Sequence, residues 1–397
     1  MPKPLEGLRV LDLTNVLAGP FCCHQLAHMG AEVIKVEARV RGDLARQLGA
    51  DPELSARGMG VSFLAQNAGK KSVTLDLKHA RGPSLFRRLV QHTDIVVENF
   101  RPGVMDRLGV GYSVLKEDRP DLIYAAISGF GQDGAWVHRP AYDQIIQGTS
   151  GVMSITGSTD SAPLRVGYPL ADSVGGLTAA MAIAAELNAR PRGAYLDVSM
   201  LESVLATMGW AVSNYLIAGV VPTPNGNENP TSAPSGTFEA GGGPLNIAAN
   251  KDEQWVLLTD HLGLAELRER PAYATREDRK SNRQALRIEL EAVLKTRPAP
   301  VWADELNRIG VPAGAVLTVP EVLGMSQIVE RGFLRDYVDP PGVGRDITVA
   351  TTGYKRNGVA PSVDEPPPEL GQNNDEVWMA AGLSAEEILA LREDGAI

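Results

Sequence analysis

Residues 8–37 read LRVLDLTNVLAGPFCCHQLAHMGAEVIKVE. The first six (LRVLDL) form a short run of branched apolar residues, the pattern of a buried strand. Residues 15–20 (NVLAGP) make a turn that opens a helix, and residues 31–37 (AEVIKVE) are the next strand. Strand, helix, strand within thirty residues is a βαβ unit and implies a parallel sheet. The rhythm continues downstream. Residues 72–77 (SVTLDL), 94–100 (DIVVENF), 122–128 (LIYAAIS) and 195–200 (YLDVSM) read as strands. An amphipathic helix over 83–92 and a short one around Met105 fall between them. This alternation predicts a doubly wound, Rossmann-like α/β sheet.

Residues 171–187 are small or apolar on nearly every side, so this helix is expected to be buried. Gly175 and Gly176 lie inside it, at about 1 kcal/mol each relative to alanine. Such a cost suggests that another backbone or a ligand comes close. The helix after residue 200 is expected to run to about Ala218. Residues 221–235 (VPTPNGNENPTSAPS) have no periodicity and read as a linker. Beyond it, 244–249 and 254–258 resemble a hairpin pair, Gly241 to Gly243 sit where a hairpin turn is expected, and helices follow over 262–309. Strand-like pieces over 346–363 and a helix over 385–392 complete the chain. The expected organisation is a large domain from 1–220, a linker over 221–235, a smaller α/β domain over 236–325, and a final segment, 326–397, that returns to the large domain.

The chain has 397 residues, 44% of them hydrophobic and 22% charged, with a net charge of −10. The length favours two lobes. The acidic balance argues against broad binding to nucleic acid or anionic membranes. No secretory leader or membrane-spanning run is evident, and the only cysteines, Cys22 and Cys23, are adjacent. Two free thiols fit a reducing compartment, so the cytoplasm is the expected location. No dinucleotide fingerprint, P-loop, zinc spacing or nucleophile elbow occurs. His24 and His28 are four residues apart on a helix without a metalloprotease glutamate, which reads as two ordinary polar positions.

One carboxylate stands apart. Tyr168-Pro169-Leu170-Ala171-Asp172 puts an acid in the first turn of an apolar helix. The helix dipole there favours the ionised form, and free N–H groups could hold a developing oxyanion. Most acids in such positions only cap their helix.

An ordered set of motifs changes that reading. It comprises residues 5–21 (LEGLRVLDLTNVLAGPF), 30–37 with Gly42-Asp43, 67–78 (NAGKKSVTLDLK), 96–109 (VVENFRPGVMDRLG), 128–134 (SGFGQDG), 139–151 (RPAYDQIIQGTSG), 166–176 (VGYPLADSVGG), 310–314 (GVPAG) and 366–372 (PPPELGQ). Together they resemble the class III CoA-transferases, the formyl-CoA:oxalate and carnitine CoA-transferase family, over nearly the full length. The resemblance implies that Asp172 is a covalent nucleophile passing through an aspartyl-CoA thioester. It assigns CoA contacts to Val16, Leu75, Lys78, Asn99 and Arg107, and the acyl pocket to Leu17, Leu48, Tyr142 and Asp143. The family's stacking arginine is Ala38 here, so Arg39 is expected to substitute. The oxalate-using prototype has glutamine and tryptophan where this chain has Leu17 and Leu48, which argues against oxalate itself and for another small, dicarboxylic acid taking CoA from a succinyl-CoA-like donor. The resemblance further implies an interlocked homodimer, with CoA and acyl-CoA as substrates and no permanent cofactor or metal. The rival within the same family, an α-methylacyl-CoA racemase, needs a histidine where Tyr142 stands. A non-catalytic CoA-binding subunit of a heteromeric transferase is the other alternative.

Overall fold

A computed structural model describes residues 2–397. Six parallel strands, β1 (Arg9–Asp12), β2 (Glu32–Glu37), β3 (Lys70–Thr74), β4 (Ile95–Glu98), β5 (Ile123–Ser128) and β6 (Ala194–Ser199), form one sheet in the order β3-β2-β1-β4-β5-β6. This is the doubly wound order, which reverses direction between β1 and β4. Successive side chains alternate between two apolar layers, as strand geometry requires. Val10, Val33, Ile95, Val97, Ile123 and Ala125 join one core with Cys22, Cys23 and Leu26 of helix α1 (Ala18–His28). Leu11, Ile34, Val96, Tyr124 and Ala126 join the other, with Leu85, Phe86 and Leu89 of the helix Gly82–Val90. Each fully buried aliphatic or aromatic side chain contributes roughly 1.5–3 kcal/mol.

Strand β3 begins two residues earlier than the sequence pattern suggests and ends at Thr74. Its free edge is covered by the C-terminal segment. The Ser72 N–H donates to Asn373 Oδ1 (3.0 Å), and the Thr74 N–H donates to Asn374 Oδ1 (2.8 Å). Asn374 opens a helix, Asn374–Ala380, that the sequence reading missed. Trp378 of that helix and Ile388 and Leu391 of the last helix, Ala385–Asp394, fill the second core.

On the first face, helix α2 (Leu170–Glu186) packs against α1. The two glycines allow this. A Cβ on Gly176 would stand 2.5 Å from the Ala18 carbonyl oxygen, and one on Gly175 would stand 2.9 Å from Met200 Cγ. The close backbone neighbour is therefore α1. Contrary to expectation, α2 is not buried all round. Leu177 and Met181 are 50% and 67% exposed, because small residues place only one stripe against α1 and the sheet. The following helix is also not continuous. It divides into Met200–Thr207 and Trp210–Ala218 at Gly209, whose φ of 49° interrupts the helical backbone. His24 and His28 are both buried on α1, with their Nε2 atoms 3.0 Å apart, rather than at its polar surface.

The chain divides into two compact units. One holds the chain up to Val152, Arg165–Val220 and Ser326–Ile397, and the other holds Met153–Leu164 and Val221–Met325. The second unit contains a three-stranded antiparallel sheet, β7 (Ser235–Ala240), β8 (Gly243–Ala248) and β9 (Ala313–Ala315). Its hairpin differs from the predicted one. The partner of β8 is β7, across the turn at Gly241 and Gly242, while residues 254–258 lie in the helix Asp252–Leu262. Trp255, Leu258, Thr259 and Leu262 are its buried positions, a helical spacing that the β-like composition of 254–258 concealed. Among the described residues, no helix is long and apolar enough to cross a membrane.

Replacing Gly176 by alanine forces a methyl group onto the Ala18 carbonyl. We expect Gly176→Ala to lose roughly 1–3 kcal/mol despite its better helix propensity, read as a lower midpoint in denaturant unfolding. A stabilised variant would show that α1 and α2 are not in backbone contact.

Candidate active site

Ligands of open α/β sheets gather beyond the carboxyl ends of the strands, where the strand order reverses. A cavity of about 240 Å³ lies there. Its walls are the turn after β1 (Asn15 to Ala18), the turn after β4 (Asn99 to Pro102), the segments after β5 (Ser128 to Phe130 and Val137 to Tyr142), Met200 and Asp172. The first two walls are tied together. The Asn15 N–H donates to Asn99 Oδ1 and Asn99 Nδ2 donates to the Asn15 carbonyl, both at 2.8 Å. The Val16 N–H donates to buried Asp43 Oδ1 (2.8 Å), which holds this β-branched residue at φ 68°. Glu98, buried beneath the second wall, accepts from the Phe100 N–H at 2.7 Å. Burial raises its pKa to about 8, partly offset by the Phe100 hydrogen bond.

Asp172 enters from the first turn of α2. The dipole expectation is reversed in balance. Burial comes first and the neighbouring Asp143 carboxylate second, and together they raise the Asp172 pKa to about 7, against the smaller pull of Arg165. The expected supply of free helix-end N–H groups is also reduced. Leu170 donates to the Tyr168 carbonyl, Ala171 to Asp143 Oδ1 (2.8 Å) and Ser173 to the Pro169 carbonyl, so three of the first four are engaged. Asp143 thus holds the start of α2 rather than lining the cavity. Its other oxygen accepts from Gln147 Nε2 (2.8 Å) and pairs with Arg165 (3.1 Å). Gln147 braces the same segment by accepting from the Val166 N–H at 2.9 Å.

Of the residues singled out from sequence, Val16, Leu17, Asn99, Tyr142 and Asp172 meet at this cavity. Asn99 spends both ends of its amide on Asn15. Leu75 is packed in the second core, its N–H bonded to the Glu37 carbonyl. Leu48 follows a short 3-10 turn and stays outside the cavity lining. Lys78 is exposed, and Arg39 is exposed with its guanidinium on the Gly395 carbonyl (2.8 Å). Arg107 is exposed beside the Gly103 turn, outside the lining. Sequence reasoning missed Arg101 and Arg139, both of which line the cavity. Their signal was present. Each opens an Arg-Pro pair at the end of a strand–loop motif, but a basic residue in a loop reads as a solvated charge.

The model of CoA-transferase family III matches residues 5–374. This chain belongs to that family. It is 40% identical to the acetyl-CoA:oxalate CoA-transferase of Acetobacter aceti over 92% of this chain and 94% of that one. It is 37% identical to the succinyl-CoA:mesaconate CoA-transferase of Haloarcula hispanica over 96% of each. The structure of a CAIB/BAIF family protein from Brucella suis superposes with a TM-score of 0.83 at 34% identity, covering 96% of this chain and all of that one. The protein is a CoA-transferase, and acyl-CoA is its substrate.

Arg165 is the one cation that lowers the Asp172 pKa. Arg165→Gln should therefore raise it above about 7. The pH at which CoA exchange reaches half its plateau should move upward, with the larger loss of rate on the acid side. An unchanged or acid-shifted profile would remove Arg165 from the site's electrostatics.

Proposed function

We propose that this enzyme moves CoA from succinyl-CoA, or a similar donor, to a small dicarboxylic acid through a thioester on Asp172. The observation that carries this reading is the placement of Asp172 as the sole carboxylate in the lining of the cavity at the strand ends. The names of the relatives support the acid class. Oxalate, mesaconate, D-citramalate and glutarate are all dicarboxylates, and three of these four are paired with succinyl-CoA or succinate. Leu17 in the wall gives the cavity an apolar side where the oxalate-using prototype has a glutamine, which favours an acid with carbon between its carboxylates.

In the proposed reaction the Asp172 carboxylate attacks the thioester carbonyl. The C–S bond breaks, CoA leaves as a thiolate, and an anhydride joins Asp172 to the acyl group. The thiolate then attacks the Asp172 carbonyl and releases the donor acid as its carboxylate. The acceptor carboxylate repeats both steps in reverse. Every step exchanges acyl groups between similar leaving groups, so no external energy source is required. The nucleophile must be ionised, and with a pKa near 7 the rate should rise with pH through neutrality.

Tyr142 occupies the position where racemisation would need a histidine, and no histidine lines the cavity among the described residues. This favours transfer over racemisation, and the intact Asp172 segment favours it over a non-catalytic subunit. Cytoplasmic location and an interlocked homodimer belong to the same proposal. Trp210, Leu216 and Ile217 on the helix Trp210–Ala218 are 73%, 74% and 84% exposed in the single chain, more apolar surface than a monomer ordinarily leaves in water. Sedimentation at micromolar concentration should give a dimer, and a monomer would contradict the assembly.

The test of the reaction is exchange between succinyl-CoA and a panel of free acids, read by mass spectrometry. Asp172→Ala and Asp172→Asn should lose about 1,000-fold or more in rate while keeping the native unfolding midpoint or exceeding it. Wild-type enzyme held with donor alone should carry the mass of CoA on the peptide containing Asp172. Substantial turnover by the variants, or CoA on another residue, would overturn the role of Asp172.

A further inference from the structure

Two guanidinium groups reach the cavity, and they are held differently. Arg139 lies flat against Trp136, its Cζ 4.2 Å from the ring centre. Trp136 is itself set edge-on against Phe130, another wall residue, at 5.3 Å between centroids. Arg139 makes no ion pair within the described chain. Nor does it act on Asp172, whose only lowering cation is Arg165. It is therefore a preorganised and unneutralised cation facing the same cavity as the nucleophile. Arg101 also lines the cavity but has no comparable support from a neighbouring ring.

The chemistry of the ligand follows from size. The pantetheine arm of CoA separates the thioester from the diphosphate by more than the width of a cavity of about 240 Å³. When the thioester is at Asp172, the CoA phosphates lie outside, and an anionic group inside the cavity must belong to the acyl moiety. Between Asp172 and the cation, Leu17, Val137, Ile127 and Met200 supply apolar wall suited to a short carbon chain. A planar guanidinium engages a carboxylate through two parallel hydrogen bonds, and stacking on tryptophan limits the freedom lost on binding.

We propose that Arg139, held by Trp136, binds the carboxylate of the dicarboxylic acid that does not react, and so determines the preference for diacids over monoacids. This rests on the reading of the protein as a dicarboxylate CoA-transferase. One carboxylate of the acid meets Asp172 while the other pairs with Arg139, and the same pairing serves a donor that carries a free carboxylate, such as succinyl-CoA.

The test compares glutarate with pentanoate, which has the same chain and lacks the second carboxylate. Because the enzyme form carrying CoA is common to both acceptors, kcat/KM for the acceptor reports the second half-reaction alone. In Arg139→Gln, kcat/KM for glutarate should fall about 30- to 100-fold, the range for losing a charge-assisted hydrogen-bonded pair, while that for pentanoate changes less than about threefold. Arg139→Lys should recover part of the loss, and Trp136→Leu should reproduce part of it. Equal losses for both acids would place Arg139 on CoA or in the fold and overturn the proposal, as would no loss for either. A wild-type enzyme that transfers CoA to pentanoate and to no dicarboxylate would instead refute the substrate reading itself.

Discussion

The site depends on a cluster of charges that never touches the cavity. Lys70 Nζ lies 2.8 Å from Asp12, and Lys35 Nζ lies 2.9 Å from Asp43 and 3.8 Å from Asp12, with all four side chains inaccessible to water. Burial works against the ionised Asp12 carboxylate, but the two lysines outweigh it and hold its pKa well below the usual range. Lys35 is held charged by the converse balance. Such a group is expensive to assemble and more expensive to leave half-made, because a missing partner strands a charge in the core. What it secures is backbone. Lys35 donates to the Thr14 carbonyl at 2.7 Å, Lys70 to the Pro20 carbonyl at 3.0 Å, and Asp43 receives the N–H of Val16. Three strands thus hold the β1 turn, including a valine in a backbone region that branched residues avoid.

The second determinant is the contact between α1 and α2. Only glycine permits the backbone of α2 to approach the first turn of α1, and that approach brings Asp172 to the cavity formed by the β1 turn. The same packing removes water from the carboxyl group and raises its pKa. A desolvated carboxylate with a pKa near 7 is a stronger nucleophile than an exposed aspartate, yet remains substantially ionised at neutral pH. Position and reactivity therefore come from one packing event.

The sheet was legible because its strands are buried on both faces and written as uninterrupted apolar runs, each followed by a glycine- or asparagine-containing turn. The cavity was legible in part for the same reason. Val16, Leu17, Asn99, Tyr142 and Asp172 stand at or just beyond such turns or at a helix start, where the fold gathers them. Roles carried over by motif alone fared differently. Leu75 belongs to a strand end that the tail has covered, and its side chain packs in the core instead. Asp143 has the residue type of a site group, but its bonds run to Ala171, Gln147 and Arg165. The helix Asp252–Leu262 was misread because Trp255, Val256 and Leu257 favour strands locally, whereas the burial of every third or fourth residue appears only once its neighbours are placed. Arg139 was overlooked because its support, Trp136, is a contact between exposed loop residues that no periodicity marks.

For the exchange proposed here, the placement of cations matters as much as the nucleophile. A guanidinium paired directly with Asp172 would secure its charge but drive its pKa down and weaken its attack. The fold avoids this by giving Arg165 to Asp143, at 3.1 Å, so that its effect on Asp172 is partial. Arg139 faces the cavity from a separate loop, stacked on Trp136 rather than on an acid. Between them lies an apolar wall, which keeps water from an anhydride and a thioester that both hydrolyse. Donor and acceptor acids occupy this space in turn, and the permanent carboxylate is common to both halves of the cycle. A site of this kind has no need to distinguish the direction of transfer. It has to retain an ionised, poorly solvated Asp172 and recognise the part of the acid that does not react, and the separation of Arg165 from Arg139 allows both.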